Sequence, residues 1–465
     1  MRTATLGSTS TATRPQPLKR LAIADRGISA MRILQAVRER NEQRGGALRT
    51  VLLVPAGEAT CLAARLADEL VTFDPAAPGG LDAALATARA DALWAGWGGV
   101  VEDARLAAVC ERSGLPALGG RPAAADGVLA DVVLDRTGAG WVAGLRRSTL
   151  TESVSMPYSP ELAAAALDAA RAARAAGVVT VGFDPAPRVA GALCAGQAVT
   201  EAATGLDLVR LALDLADGEA AGVPPARSGA HAVAAHLRAT GDGRVELLRP
   251  PAGAGIRVDV GVTEGDRAAG DVLTVVATGR DSAEATARLH RALADTTLVL
   301  DRGTTNRGDL LGARAPRPDA ALLVAAIELA DAMTGVDRAR FLAFARRGRP
   351  ECAASTVHVV DLVHRGVRYR FTVAQVAPAR YRLTVDGATL EVDVERLGAH
   401  ERRLAFGGER VRAVVGVQGT EYVVEIDGIA QRIGRDDGGL VRNLAPAVVV
   451  SIPVRRGDEV AAGDV

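Results

Sequence analysis

The chain has 465 residues, of which 48% are apolar and 3% aromatic, and its formal net charge is zero. That length allows about three domains with real cores, and balanced charge with so few aromatics excludes an extended nucleic-acid surface. Of the 55 basic residues only one, Lys19, is a lysine, which argues against a P-loop lysine, a Schiff-base lysine or a biotin-bearing lysine in a folded site. Cys61, Cys110, Cys194 and Cys352 are far apart and lack C-x-x-C spacing, so buried, inert thiols are expected rather than a disulfide framework or zinc site. No apolar run reaches the ~20 residues that cross a bilayer, and the start lacks a signal-peptide core. A cytoplasmic protein without a membrane partner is the expectation.

Residues 1–17 are rich in Thr, Ser and Pro and read as a disordered arm. Over 18–120 short apolar runs alternate with helical ones: a strand at Leu21–Asp25, a helix at Ile28–Asn41, a strand at Thr50–Val54, a helix near Thr60–Glu69, a strand at Leu70–Phe73, a helix at Leu81–Arg89 and a strand at Ala92–Ala95. This rhythm predicts an α/β domain with a parallel sheet and crossover helices. Over 121–315 helices are expected at Ala163–Ala176, Leu206–Asp217 and Ala283–Thr296, with VVTVGF as a strand after the first. Pro316 and Pro318 mark a boundary, and helices near Ala320–Met333 and Arg338–Arg346 suggest a helical linker over 316–352. Over 353–440, alternating runs such as VHVVDLV, YRFTVAQV and TLEVDVERL, split by Gly and Asp-Gly turns, predict an antiparallel β domain of hairpins.

The segment IADRGISAMR (Ile23–Arg32), with ARLADELV at 64–71, resembles the opening of biotin carboxylases, whose pattern is IANRGExAxR. LWAGWGGVVED (Leu93–Asp103), CERSGLPALGGRP (Cys110–Pro122), VTEAATGLDLVRLAL (Val199–Leu213), GIRVDVGVTEGD (Gly255–Asp266) and RALADTTLVLDRGTTN (Arg291–Asn306) are similar to later landmarks of that family, in order. GWG is similar to the single-chain, long-chain type of acyl-CoA carboxylase, and Val417–Val465 resembles the approach to a biotinyl domain, with 441–465 as its truncated start. The resemblance implies a biotin-carboxylase N-terminal-like domain over 18–120, a reduced ATP-grasp and C-terminal remnant over 121–315, and the family cofactors ATP, Mg²⁺ and biotin.

The departures matter more for mechanism. No glycine-rich lid is present: after Gly119 and Gly120 the chain passes almost directly to DVVLDRTGAGWVAGL (Asp131–Leu145), which resembles a strand pair beyond the lid. The family places one metal glutamate in GTVEF, where this chain has Gly182, and the other where counting back without gaps from Val199 reaches Arg188. The same count puts Ala190 at the Asn, Ala192 at the Arg, Gly196 at the following Glu and Gln197 at the His of the family pattern, with only Leu193 kept. A guanidinium with small side chains would repel a metal. The family's HAxEARL stands as HAVAAHL, with His231 kept, Ala234 at the glutamate and His236 at the arginine that would support the biotin enolate; Thr274 falls roughly at a family lysine, and the QRRNQK run is missing between Leu150 and Thr151. The biotin-carrying Met-Lys-Met tip would fall just past Val465.

Blander readings apply elsewhere. His231 and His236, five apart, would lie on different helix faces, and His358 and His364 share strand parity without a third ligand. The turn Asp25-Arg26-Gly27 precedes a helix and could hold an anion, but Ile28 stands where the family has glutamate and a structural role is preferred. Gly434–Arg442 reads as a solvated hairpin connection, and 441–465 would leave an unpaired edge. No catalytic, cofactor-binding or metal residue is therefore assigned, and no cofactor is expected in this chain. The expectation is a biotin-carboxylase-like subunit that is inactive alone and acts as scaffold or regulator beside carboxyltransferase or active biotin carboxylase subunits. The alternative is a piece of a split or frame-broken working acyl-CoA carboxylase. A residual nucleotide or acyl-CoA sensor rests on fold kinship alone.

Overall fold

The computed structural model describes residues 17–46, 48–96, 103–118, 126–184, 186–191, 195–224, 230–310, 317–348 and 357–436. The chain divides into two compact units, one running to residue 316 and taking in 425–430, the other formed by 317–424 with 431–465.

The first unit opens with alternating elements: β1 (Arg20–Ile23), α1 (Gly27–Arg44), β2 (Arg49–Pro55), α2 (Leu62–Leu66), β3 (Glu69–Phe73), α3 (Gly80–Ala88), β4 (Ala92–Trp94), α4 (Asp103–Ser113) and β5 (Ala117–Leu118). The five strands pair in parallel in the order β3-β2-β1-β4-β5. The inner strands are buried on both faces, with Leu21, Ile23, Leu52 and Trp94 on one side and Ala22, Val51, Leu53 and Leu93 on the other. This explains why they read as unbroken apolar runs rather than alternating ones. The helix expected at Thr60–Glu69 forms only over Leu62–Leu66, because Asp68 turns away to accept hydrogen bonds from the Thr50 backbone and hydroxyl.

The rest of the first unit is built on a second sheet. Its elements are β6 (Gly127–Leu134), β7 (Gly140–Ser148), β8 (Glu152–Met156), α5 (Pro160–Ala172), β9 (Gly177–Phe183), β10 (Pro187–Gly191), α6 (Ala198–Thr204), α7 (Leu208–Ala216), β11 (His231–Arg249), β12 (Ile256–Val260), β13 (Arg267–Gly279), α8 (Ser282–Asp295), β14 (Thr297–Leu300), β15 (Thr304–Thr305) and α9 (Arg307–Leu310). The strands run β10-β9-β6-β7-β8-β11-β13-β12, with β14 and β15 also paired to β11. Helix α5 begins at a Ser159 cap and covers one face through Ala163, Ala166 and Ala170, against Ala130, Val132 and Leu134 of β6. The alternate β6 residues face the other way, where Val133 packs with Trp141 and the α7 residues Leu208 and Leu213.

One sequence expectation fails on local propensity. HAVAAHL lies in β11, not in a helix. Its alanines favour helix by themselves, but β8 and β13 claim the backbone on both sides, with His236 opposite Thr274. His231 and His236 thus lie on opposite faces of a strand, and the helix-face reason for separating them was wrong.

The second unit starts with one continuous helix, α10 (Pro318–Ala345), where two helices forming a linker were expected. Gly335 fails to break it, since glycine within a helix costs only about 1 kcal/mol. Ala320–Ile327, Leu329 and Ala330 are all buried, so this half is apolar on every face, as a helix enclosed by protein must be. What encloses it is a closed antiparallel barrel: β16 (Val357–His364), β17 (Val367–Ala377), β18 (Arg380–Val385), β19 (Ala388–Arg396), β20 (Glu401–Phe406), β21 (Glu409–Gln418), β22 (Glu421–Ile426) and β23 (Ile429–Arg435). Near the end of the buried half, Glu328 takes both nitrogens of a fork from Arg402, and Asp331 accepts from Tyr381 Oη and Arg396. The helix is thus the core of the β domain, not a connector to it. Four hairpins turn at Arg365-Gly366, Asp386-Gly387, Gly407-Gly408 and Asp427-Gly428, where both residues have positive φ, the geometry of type I′ turns that match strand twist. The truncated biotinyl start at 441–465 lies outside the described residues.

Candidate functional site

Of the positions singled out in the sequence, Gln197, His236 and Thr274 join a buried network on the face of the second sheet covered by α6. Asp131 on β6 and Arg146 on β7 form an ion pair, Nε to Oδ2 at 3.0 Å, with both side chains 0% exposed. Antiparallel pairing sets Thr180 of β9 directly opposite Asp131, and Arg146 of β7, opposite Leu129, reaches Asp131 along the diagonal. The Asp131 carboxylate also accepts from Thr200 Oγ1 at 2.6 Å, Gln197 Nε2 at 3.0 Å and Thr180 Oγ1 at 3.2 Å. Arg146 spends Nη1 on Ser148 Oγ at 2.6 Å and Nη2 on Asp131 Oδ1 at 3.1 Å. The chain of hydroxyls continues from Ser148 to Ser153 at 3.0 Å, to His236 Nε2 at 3.4 Å, and from His236 Nδ1 to Thr274 Oγ1 at 3.0 Å. Burial, reinforced by the positive charges of Arg146 and Arg238 and opposed by Asp259, pushes the His236 imidazole down to about 4. The ring is therefore neutral near pH 7 and serves as a hydrogen-bonding link rather than a charge.

Beside this interior lies a small cleft, partly open to solvent, lined in part by Arg32, Gln197, Glu201, Arg257, Asp259 and Thr274. Glu201 on α6 receives Arg32 Nη2 on both oxygens at 3.0 Å, Arg257 Nη2 at 2.8 Å and the Leu208 backbone N–H at 3.0 Å. Burial pushes the Glu201 carboxyl up, against the pull of Arg32 and Arg257. Burial disfavours the Arg257 charge as well, yet its fork on Asp259 (2.9 and 2.8 Å) and the nearby Glu201 hold the guanidinium above its usual range. The cleft walls are thus acids and arginines already satisfied by one another.

The sequence-derived positions fall as follows. Gly182 and Arg188 stand directly opposite each other across β9 and β10. Arg188 is exposed, and a side chain at Gly182 would point at Leu129 and Ala190. A Cβ at Gly196 would lie 2.7 Å from Arg146 Nη1, 2.8 Å from Ser153 Oγ and 2.9 Å from Ser148 Oγ, closer than real contacts permit. Gln197 is inside the network; Ala192, Leu193 and Cys194 lie outside the described residues. Asp25 uses its buried carboxyl to accept from the Arg26 and Gly96 backbone N–H groups at 2.9 and 3.0 Å and from Ser29 Oγ. Burial pushes it up to about 6 despite those bonds. The start of α1 is taken by the molecule itself, since a Cβ at Gly261 would sit 2.4 Å from the Ile28 nitrogen. Cys110 is buried but Cys61 only half-buried, and burial raises both thiols; Cys352 lies outside the described residues. His358 meets Thr334 Oγ1 at 2.8 Å and His364 is buried, lowered by that burial. Among the described residues no group of three or more His, Cys, Asp or Glu is arranged to hold a metal.

Asp131, Arg146, Ser148, Ser153, Thr180 and Thr200 were not picked out from the sequence. One signal was available: Asp131 interrupts the apolar run before VVLD, and a charge in a strand buried on both faces demands a partner. The charged groups on this face are already paired with one another, and the space beside Gly196 is filled by Arg146.

Residues 17–125 match the family model described as biotin carboxylase, N-terminal domain, and 318–430 match that described as acetyl-CoA carboxylase, BT domain. Solved structures share the fold. The complete multifunctional pyruvate carboxylase of Rhizobium etli aligns with 21% identity and a TM-score of 0.54, covering 65% of this chain and 35% of that one. The biotin carboxylase domain of the Hydrogenobacter thermophilus 2-oxoglutarate carboxylase aligns with 16% identity and a TM-score of 0.53, covering 64% and 93%. The biotin carboxylase domain of a single-chain bacterial carboxylase gives 20%, 0.51, 63% and 92%. This chain therefore spans about a third of the complete pyruvate carboxylase that it resembles. No curated protein matches it. By sequence over 17–125 and 318–430, and by fold over about two thirds of its length, the chain is similar to biotin-dependent carboxylases.

Proposed function

We propose that this chain is a non-catalytic, biotin-carboxylase-like subunit of an acyl-CoA carboxylase, acting as a scaffold or regulator. Its partners are a carboxyltransferase or an active biotin carboxylase subunit. The observation that carries this reading is the closed Asp131–Arg146 interior, which fills the space beside Gly196 with a self-satisfied guanidinium. Phosphoryl transfer needs metal-binding carboxylates to neutralise charge on the nucleotide, and here each buried carboxylate in reach is already bonded to arginines and hydroxyls. The acetyl-CoA carboxylase description of the 318–430 match supports the acyl-CoA assignment.

The test is bicarbonate-dependent ATP turnover by the purified full chain, with free biotin supplied, together with co-purification of a carboxyltransferase subunit. No turnover with a stable carboxylase complex is expected. Turnover above a no-bicarbonate control would remove the non-catalytic reading. One finding favours a second reading, a piece of a larger working carboxylase: the alignment covers only 35% of a complete pyruvate carboxylase. A native band heavier than 47.8 kDa and reactive with avidin would select that alternative.

A further inference from the structure

Asp131 has no water-facing surface, and five hydrogen bonds converge on its carboxylate, two of them from the guanidinium of Arg146. The other three come from neutral groups on different elements: Thr180 on β9, Thr200 on α6 and Gln197 just before α6. Remove the guanidinium and a buried anion remains with neutral donors only, in a hole bounded by Ser148, Thr180 and the backbone beside Gly196. A planar fork that donates from two adjacent nitrogens to one carboxylate is what guanidinium supplies. A magnesium ion, by contrast, demands a near-octahedral oxygen shell and holds its waters. The single carboxylate and hydroxyls here do not make such a shell.

We propose that Arg146 is a built-in ligand: its side chain fills, from within the chain, a site shaped for a planar monovalent cation of guanidinium type, and thereby holds β6–β9 and α6 closed without nucleotide or metal. The inference deepens the proposed function by naming what occupies the interior, and it rests on the reading that this interior is not a working nucleotide site. Gly196 is its structural counterpart, because any larger residue there would displace the guanidinium.

The experiment is chemical rescue of Arg146→Gly in the full chain, followed by its thermal unfolding midpoint. Millimolar methylguanidinium is expected to raise the midpoint of the variant toward that of the parent. Methylurea, neutral and of similar shape, is expected to leave it unchanged, as are magnesium chloride and magnesium-ATP. Adding Asp131→Asn should abolish the rescue by removing the anion. If Arg146→Gly accumulates only in insoluble form, the same additives are compared by refolding yield on dilution from denaturant. Equal recovery with methylurea, recovery with magnesium-ATP, or no recovery with methylguanidinium would each overturn the proposal. ATP turnover by the parent chain would sink the proposed function whatever the variant does. A variant blind to methylguanidinium would sink this inference and leave the absence of turnover standing.

Discussion

The interior of the first unit and the outer wall of the barrel use the same chemistry, arginine against a carboxylate, in opposite settings. Arg146 and Asp131 are wholly buried. Arg380–Asp393, Arg382–Glu391, Arg403–Glu395 and Arg432–Glu421 are cross-strand pairs with each side chain roughly half exposed. Outside, water screens each pair and replaces a lost partner, so the pairs chiefly suppress like-charge contacts across the strands. Inside, no water can take the place of a lost partner, and loss of one charge leaves the other in a low-dielectric core among neutral side-chain groups such as Ser148, Thr180, Gln197 and Thr200. Geometry alone would rank the pairs as equals; burial separates them.

The largest effect should come from Arg146→Ala, which leaves Asp131 buried and uncompensated. A destabilisation of about 3–5 kcal/mol is expected by denaturant titration. A loss no greater than that of a surface arginine would break the comparison at its root.

His236 sharpens it through pH. Its value is lowered from 6.5 to about 4 by burial, so the neutral ring contributes stability that is fully present above pH 6.5 and lost as pH falls toward 4. At 1.36 kcal/mol per unit the ceiling is about 3 kcal/mol. Asp25 works against it: raised from 3.8 to about 6 by burial, it contributes stability present below pH 3.8 and lost as pH rises through 6. In the wild-type chain the two trends offset between pH 4 and 6. In His236→Gln the counterweight is removed, and the raised carboxyls of Asp25, Glu201 and Asp331 should make stability fall as pH rises over that window. Parallel curves for the two proteins would show that His236 titrates normally.

The smallest effect is expected on the barrel wall. Arg380→Ala should leave the unfolding midpoint indistinguishable from that of the parent, at low and high salt. A clear loss would mean that the outer ladder acts as a cooperative network rather than as screened pairs.

How far these regions could be read in advance also differs. The barrel announces itself locally: Asp386-Gly387 and Asp427-Gly428 fix two-residue turns, and Phe371, Val373 and Tyr381 alternate with exposed neighbours on their strands. The parallel sheet was equally plain, because its short apolar runs and the helices between them alternate in unbroken order along the chain. The helix inside the barrel was read as two pieces, near Ala320–Met333 and Arg338–Arg346, because its continuity through Gly335 shows only in the structure. The Asp131–Arg146 interior was not found at all. Gly196 and Gln197 drew notice only through resemblance, and their meaning changed once Arg146 was seen beside them.

The sequence by itself determined the elements of the N-terminal sheet, the hairpins of the barrel and the kinship carried by motifs such as IADRGISAMR, because turn chemistry and hydrophobic period act over a few neighbouring residues. Only the tertiary structure decided that α10 is the core of the barrel, that HAVAAHL is a strand, and that Arg146 closes the space beside Gly196. Those outcomes depend on the strand order β9-β6-β7-β8-β11 and on the enclosing barrel. Asp131, Arg146, Thr180 and His236 come from separate strands and join one network only when the sheet places them on one face and α6 brings Thr200 against it.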